Sequence, residues 1–233
     1  GAINLADNIL LYLPFTGNAA DSSGHANVTT VYGATLTSDR FSSPNSAYNF
    51  STDGAVFGQI KDQIYVNYSP MFNVQKLTVS LWVNLSAYFW TGNPNNPVTV
   101  LINRNEGGYS SPNSQAWTLR STQADINAAV LQASGGLQQN SFVLSRPVPI
   151  PLNTWTHLAF TYDAATLKIY VNGQLAVSGV SSLPLNTNST SGISIGQSRQ
   201  ANGNWNNLSG KLDAIQVWGR ALSQEEIKHI AEH

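Results

Sequence analysis

The sequence predicts an all-β sandwich closed by one short C-terminal helix, and three observations carry that expectation. Apolar residues alternate with a period of two: Leu77, Val79, Leu81 and Val83 interleave with Thr78, Ser80, Trp82 and Asn84, the pattern of a strand with one face on a core. Asn172-Gly173 lies inside the apolar run Leu167–Val177 and supplies the two positive-φ positions that a type I′ hairpin turn requires. Clusters of Gly, Pro, Asn and Ser punctuate the chain at the spacing of a sandwich, with no internal repeat. Residues 1–233 fit one large domain of this kind.

In chain order, strands are expected at Ile9–Leu13, Ala47–Phe50, Leu77–Asn84, Val98–Ile102, Ala116–Arg120, Ala128–Gln132 and Ser141–Leu144. They continue with Asn153–Asp163, the Leu167–Val177 hairpin, Gly192–Gly196 and a strand running from Leu208 to Trp218. Met71–Val74 reads as a short turn, and Ser86–Pro97 and Arg104–Asn113 read as loop insertions. Strict alternation in the last strand puts Leu212, Ala214, Gln216 and Trp218 on one face and Asp213, Ile215 and Val217 on the other, which suits a strand covered on both sides. A helix follows over Ser223–Ala231: Ser223 with Glu226 forms a capping box, and Leu222 with Ile227 a hydrophobic staple. Asp213 is the odd residue of this segment. A buried carboxylate costs several kcal/mol unless it meets a partner or a cation, so one of these is expected beside it.

Composition narrows the function. Charged residues are 10% of the chain, against about 25% in ordinary domains. Asn, Ser, Thr and Gln supply the polarity instead, giving a surface of neutral hydrogen-bonding groups. A net charge of -1 argues against nucleic acid as a partner, which demands a basic stripe. No apolar run approaches the ~20 residues of a membrane span. The absence of cysteine removes disulfides, thiol catalysis and thiolate metal sites together.

Four segments in order resemble the laminin-G-like (LamG-type) members of the concanavalin A-like lectin/glucanase superfamily. They are Tyr12–Gly24 with its Asp-Ser-Ser-Gly turn, Leu77–Asn84, Asn153–Asp163 with Leu167–Ala176, and the closing Gly210-Lys-Leu-Asp213 strand before Leu222-Ser-Gln-Glu-Glu-Ile227. The resemblance implies a jelly-roll sandwich of two antiparallel sheets, and it implies an extracellular or cell-surface setting. Secreted animal relatives often carry disulfides, so their absence here points to a bacterial source. The start Gly1-Ala2-Ile3-Asn4 reads as trimmed, and relatives often occur as modules of larger proteins, so a module or a monomer is expected.

The resemblance also implies a structural calcium between the opening turn and the terminal strand, with Asp21 and Asp213 as carboxylate ligands and Gly17 and Asn18 in the turn. Calcium takes about six to eight oxygens, and a turn dense in small residues lets carbonyls converge. The competing reading is that Asp21 caps its own Ser-Gly turn. Glucanases of the superfamily carry closely spaced strand carboxylates, and retaining glycosidases need two about 5–5.5 Å apart. This chain has four glutamates: Glu225, Glu226 and Glu232 belong to the terminal helix, and Glu106 stands alone in a loop. No predicted strand holds two acids at i and i+2 or i+4, and His157 reads as a packed histidine. The expectation is therefore a non-enzyme.

Recognition remains. Aromatic faces stack on apolar C–H surfaces, and amides and carboxylates hydrogen-bond hydroxyls. Ser86–Pro97 sets Tyr88, Phe89 and Trp90 beside Asn93 and Asn95, and Ser198–Asn207 sets Arg199, Asn204 and Trp205 together, with Tyr109 a third patch. Such aromatics serve equally as lids over a core, although three consecutive ones cannot all point inward. Trp82, Trp117, Trp155 and Trp218 read as core. The leading expectation is a glycan- or polysaccharide-binding module; the runner-up is a protein-binding adhesion module, and the third is a glycoside hydrolase or lyase.

Overall fold

The structure is a computed structural model and describes residues 2–95, 97–106, 115–125, 128–137, 140–148, 150–200 and 203–233. Its first strands are β1 (Ile9–Leu13), β2 (Thr29–Tyr32), β3 (Thr35–Thr37), β4 (Ala47–Phe50), β5 (Gln63–Val66) and β6 (Leu77–Leu85). The middle of the chain supplies β7 (Val98–Asn105), β8 (Gln115–Asp125), β9 (Ala128–Leu137) and β10 (Asn140–Val148). Then come β11 (Thr156–Tyr162), β12 (Thr166–Val171), β13 (Gln174–Val180), β14 (Ile193–Ile195), β15 (Ser198–Gln200), β16 (Gly203–Trp205), β17 (Gly210–Trp218) and the helix α1 (Gln224–Glu232).

Two antiparallel sheets form the sandwich. One has eight strands in the order β13-β12-β11-β6-β17-β4-β3, with β1 pairing a second stretch of β17; the other has seven, β10-β9-β8-β7-β14-β5-β2. Between them lies one apolar cluster in which Leu77, Val79, Leu81, Val83 and Leu85 of β6 meet Ile64, Ile102, Leu119, Ile193 and Ile195 of the facing sheet. The period-two reading of β6 thus holds residue for residue, with Thr78, Ser80, Trp82 and Asn84 on the outer face. The Asn172-Gly173 turn has φ of 49° and 81°, as a type I′ hairpin needs.

The last strand departs from strict alternation. Its pairing with β6 slips between Asp213 and Gln216, and Ala214 sits at φ 48° in this bulge. The extra residue returns Ile215 and Val217 to the same core as Leu212, so these three share a face rather than oppose one another. Asp213 and Trp218 go to the outer face, opposite Trp82 and Thr78. The bulge also divides the strand's second edge: Gly210–Leu212 pair with β4, and Ile215–Trp218 pair with β1. The strand itself begins at Gly210 rather than Leu208.

Helix α1 covers part of that outer face. Leu222 and Ile227 pack with Ala159, Tyr170 and Trp218 in a second apolar cluster, and the Trp218 indole donates to the Leu5 carbonyl at 2.8 Å. The Ser223–Glu226 capping box is present in both directions. Five short strands lie where none was expected: β2, β3, β5, β15 and β16. The last two pair antiparallel within Ser198–Asn207.

Candidate functional site

The opening turn is built around Asp21. Its carboxylate accepts from the backbone N–H groups of Tyr12, Ser23 and Asn27, from the Ser23 hydroxyl and from the Asn27 amide, at 2.8–3.0 Å. Burial pushes this carboxyl up, but the donors outweigh it and hold it below the ordinary carboxylate value. Asn18 accepts from Ala20 N–H, and Gly17 donates its N–H to the carbonyls of Phe15 and Asn45.

Asp213 has its partner in Arg40, whose Nη1 lies 2.9 Å from Oδ2, while Oδ1 accepts from Ala214 N–H. Burial pushes the Asp213 carboxyl up to about 6 against the opposing pull of Arg40. The two aspartates flank Tyr12: its N–H serves Asp21, and burial together with the Asp213 charge raises its hydroxyl. As folded, the oxygens of both carboxylates face protein donors, so the set does not fit a shared calcium without displacing them. Among the described residues no group of three or more His, Asp or Glu converges.

Two of the sequence-derived patches are tied to the start of β7: Trp90 bridges Val98, while Thr99 donates its hydroxyl to the Asn207 carbonyl and Val100 N–H donates to that of Asn206, just past β16. Tyr88 is tied down, its hydroxyl donating to the Ile150 carbonyl at 2.6 Å. Trp90 is half-buried under Gly92, where any Cβ would collide with the indole. Asn93 is half-buried and Asn95 exposed. Tyr109 lies outside the described residues.

On β15, Arg199 stacks over Tyr65 at 4.0 Å from the ring centroid. Asn204 opposes Arg199 in register, exchanges two backbone hydrogen bonds with Gly58 and accepts from the Gln63 amide. This close approach of Asn204 to the 54–58 turn needs Gly203, at φ 139°, where a Cβ would press on Gly58. Trp205 is half-buried and meets Phe57 edge to face, with ring centroids 4.4 Å apart. Phe57 is 44% exposed, and Val56 and Ile60 of the same segment are exposed too. Sequence reasoning missed Phe57, because nothing in Asp53–Ile60 marks it until Trp205 packs on it.

The other tryptophans divide. Trp117 and Trp218 are buried, as expected, whereas Trp82 and Trp155 are only half-buried. Trp82 shares the outer face of β6 with Thr78 and Ser80, where Arg40 lies over its ring and His157 meets it edge to face. His157 is wholly buried beside it, with Nε2 2.7 Å from the Ser80 hydroxyl and Nδ1 without a partner. Burial, reinforced by the Arg40 charge, lowers its pKa to about 3, so the ring is neutral. Glu106 carries a hydrogen bond from the Tyr65 hydroxyl, and its N–H donates to Ser191.

With this geometry in hand, comparison with known proteins identifies the class. A family model described as the concanavalin A-like lectin/glucanases superfamily matches residues 57–228, and the chain belongs to that superfamily. No curated protein sequence matches. Solved structures share the fold at low identity. One is of botulinum neurotoxin type C, whose cell entry depends on interaction with two ganglioside molecules: 14% identical, TM-score 0.71, covering 98% of this chain and 52% of that one. Another is the binding domain of botulinum neurotoxin DC in complex with rat synaptotagmin II, at 15%, 0.69, 98% and 52%. A third is the binding domain of Paraclostridial Mosquitocidal Protein 1, at 16%, 0.69, 98% and 52%. The chain spans about half the length of these structures.

Proposed function

We propose that the chain is a non-catalytic carbohydrate-binding module acting outside a bacterial cell or on its surface, as one part of a larger protein. The observation that carries the reading is the Phe57–Trp205 pair at the loop end, a partly exposed aromatic ledge on a chain whose polarity comes mainly from neutral amides and hydroxyls. Apolar rings on a surface rich in neutral hydrogen-bonding groups suit a sugar, which offers a C–H face and a rim of hydroxyls. The likeness to toxin binding domains, one tied to gangliosides, fits an extracellular binding role, and the half-length match fits a module. No described helix is long and apolar enough to cross a membrane.

A protein ligand is the second reading, favoured by the exposed apolar run of Val56, Phe57 and Ile60. Against catalysis, the Ser80–His157 pair is sealed from solvent with no acid on Nδ1. A glycan array decides between the first two readings: binding to oligosaccharides supports ours, and an empty array with capture of a defined protein ligand overturns it. Product analysis after incubation with polysaccharides checks the third, since released reducing ends contradict a non-catalytic module.

Calcium enters this proposal only in exchange for hydrogen bonds. An ion on Asp21 displaces donors of Tyr12, Ser23 or Asn27, and one on Asp213 displaces Arg40. Bound calcium by elemental analysis, with a melting temperature lowered by chelator, establishes the ion. Metal-free protein with an unchanged melting curve removes it.

A further inference from the structure

We propose a second sugar contact, on the outer face of the eight-stranded sheet, in a hollow lined by Arg40, Phe41, Trp82, Trp155, Glu232 and His233 that takes one neutral sugar ring. The proposal rests on the carbohydrate reading of the chain but shares no residue with the loop end.

The hollow combines three aromatic surfaces with an anchored guanidinium. Phe41 is 65% exposed, and Trp82 and Trp155 present half-buried indoles on a face whose other β6 residues are Thr78, Ser80 and Asn84. Arg40 lies between two of these rings, 4.4 Å from the Phe41 centroid and 4.6 Å from that of Trp82. Its Nη1 is fixed by Asp213, which is 2% exposed, and its Nη2 donates to the His233 carbonyl at 3.2 Å. Burying an ion pair rarely repays its desolvation, so this pair is weak as a source of stability. What it achieves is orientation: the guanidinium plane and the indole it covers become one rigid wall. The Asp213 bulge is what sets the carboxylate there, since it carries Asp213 to the outer face opposite Trp82.

Size and charge select the ligand. The hollow holds about 270 Å³, just below the roughly 300 Å³ at which pockets for drug-sized ligands begin, so it fits a single ring rather than an extended chain. Arg40 is already balanced by Asp213, and Glu232 adds a carboxylate at the rim. No unbalanced positive charge is left to attract a sialic acid, sulfate or phosphate. A neutral sugar gains on both counts, its C–H face on the Trp155 indole and its hydroxyls toward the guanidinium N–H groups and Glu232. An apolar peptide side chain gains only the first.

The test is an array of neutral and sialylated oligosaccharides probed with the intact chain and with Trp155→Ala, Phe41→Ala and Trp205→Ala, each with its melting temperature. The expected result is a roughly ten- to hundredfold loss of neutral-oligosaccharide binding in Trp155→Ala, with Phe41→Ala moving the same way from a position too exposed to disturb the fold. If Trp155→Ala does not fold, Phe41→Ala alone carries the reading. Loss in Trp205→Ala with undiminished binding in both hollow variants overturns this second contact and leaves the loop end standing. Loss confined to sialylated glycans overturns the neutral-ring assignment. No oligosaccharide bound by the intact chain overturns both contacts, as does binding of a peptide ligand alone.

Discussion

Aromatic side chains are held in two different ways in this molecule. At the loop end they are locked by backbone: Tyr88 through the Ile150 carbonyl, Trp90 beneath Gly92, Trp205 on a strand whose Asn204 clasps Gly58. On the outer face of the eight-stranded sheet they are held by charge, with Trp82 and Phe41 stacked on an arginine that a buried aspartate keeps in place. The first arrangement survives changes in protonation, because its bonds run to amides. The second is sensitive to them, because Asp213, Arg40 and His157 share one small volume. Two surfaces with similar chemistry therefore differ in what disturbs them.

Acid should expose that difference most strongly. His157 is neutral in the fold with a pKa near 3, against about 6.5 for a free histidine. A depressed histidine contributes stability that is complete above about pH 6.5 and is lost as the pH falls toward 3. At about 1.36 kcal/mol per pH unit the full loss reaches about 4–5 kcal/mol. Asp213 acts in the opposite sense: raised to about 6, it favours the fold as it takes up a proton between about pH 6 and its ordinary value near 3.8. Asp21, Asp163 and Glu226, held low by their hydrogen bonds, weaken the fold only in the more acid range below the usual carboxylate values. Between pH 7 and 4 the Asp213 gain offsets most of the His157 loss, so denaturant midpoints should fall only slightly for the native chain and should rise with falling pH in His157→Gln, where only the Asp213 contribution remains. A His157→Gln variant whose midpoints follow those of the native chain contradicts the buried neutral ring.

The tryptophans sharpen the contrast. Trp218 is fully buried and gives its indole N–H to Leu5, so Trp218→Ala should cost about 3–5 kcal/mol. Trp155, half-buried at the hollow, should cost about 1 kcal/mol or less. Equal losses in the two variants, by chemical denaturation, place Trp155 in the core and close the hollow. Asp213→Asn removes the anion that holds Arg40 while sparing the desolvation of a buried carboxylate, so it should change stability less than Trp218→Ala and loosen Trp82. Trp82 fluorescence unchanged in that variant breaks the claim that the ion pair orders the indole.

Much of the fold is legible in the sequence, and the reason it stops where it does is physical. Local rules worked where a residue's own chemistry decides its place: the Ser223 capping box, the Asn172-Gly173 turn and the alternation of β6 all stand as read. Parity names the two faces of a strand but not what covers them. Trp82 was therefore legible as lying opposite Leu81 and Val83, and illegible as half-open, because only part of that face meets α1. The bulge at Asp213–Gln216 has no sequence mark, Ala214 being an unusual residue for φ 48°. The strands Thr29–Tyr32, Thr35–Thr37 and Gln63–Val66 are too short to show a clear period, and the first and last of them pair with partners far along the chain. The partner of Asp213 was foreseen as a need, but Arg40 is 173 positions away, and no spacing rule reaches that far.

The most direct test of the carbohydrate reading is the affinity of Phe57→Ala for an oligosaccharide bound by the native chain, measured by calorimetry beside its melting temperature. Phe57 is 44% exposed and forms the outer half of the ledge with Trp205, so its removal should leave the melting temperature close to native. The account predicts a roughly tenfold or greater loss of affinity, the scale of one stacked aromatic. Native affinity in a folded Phe57→Ala variant contradicts it.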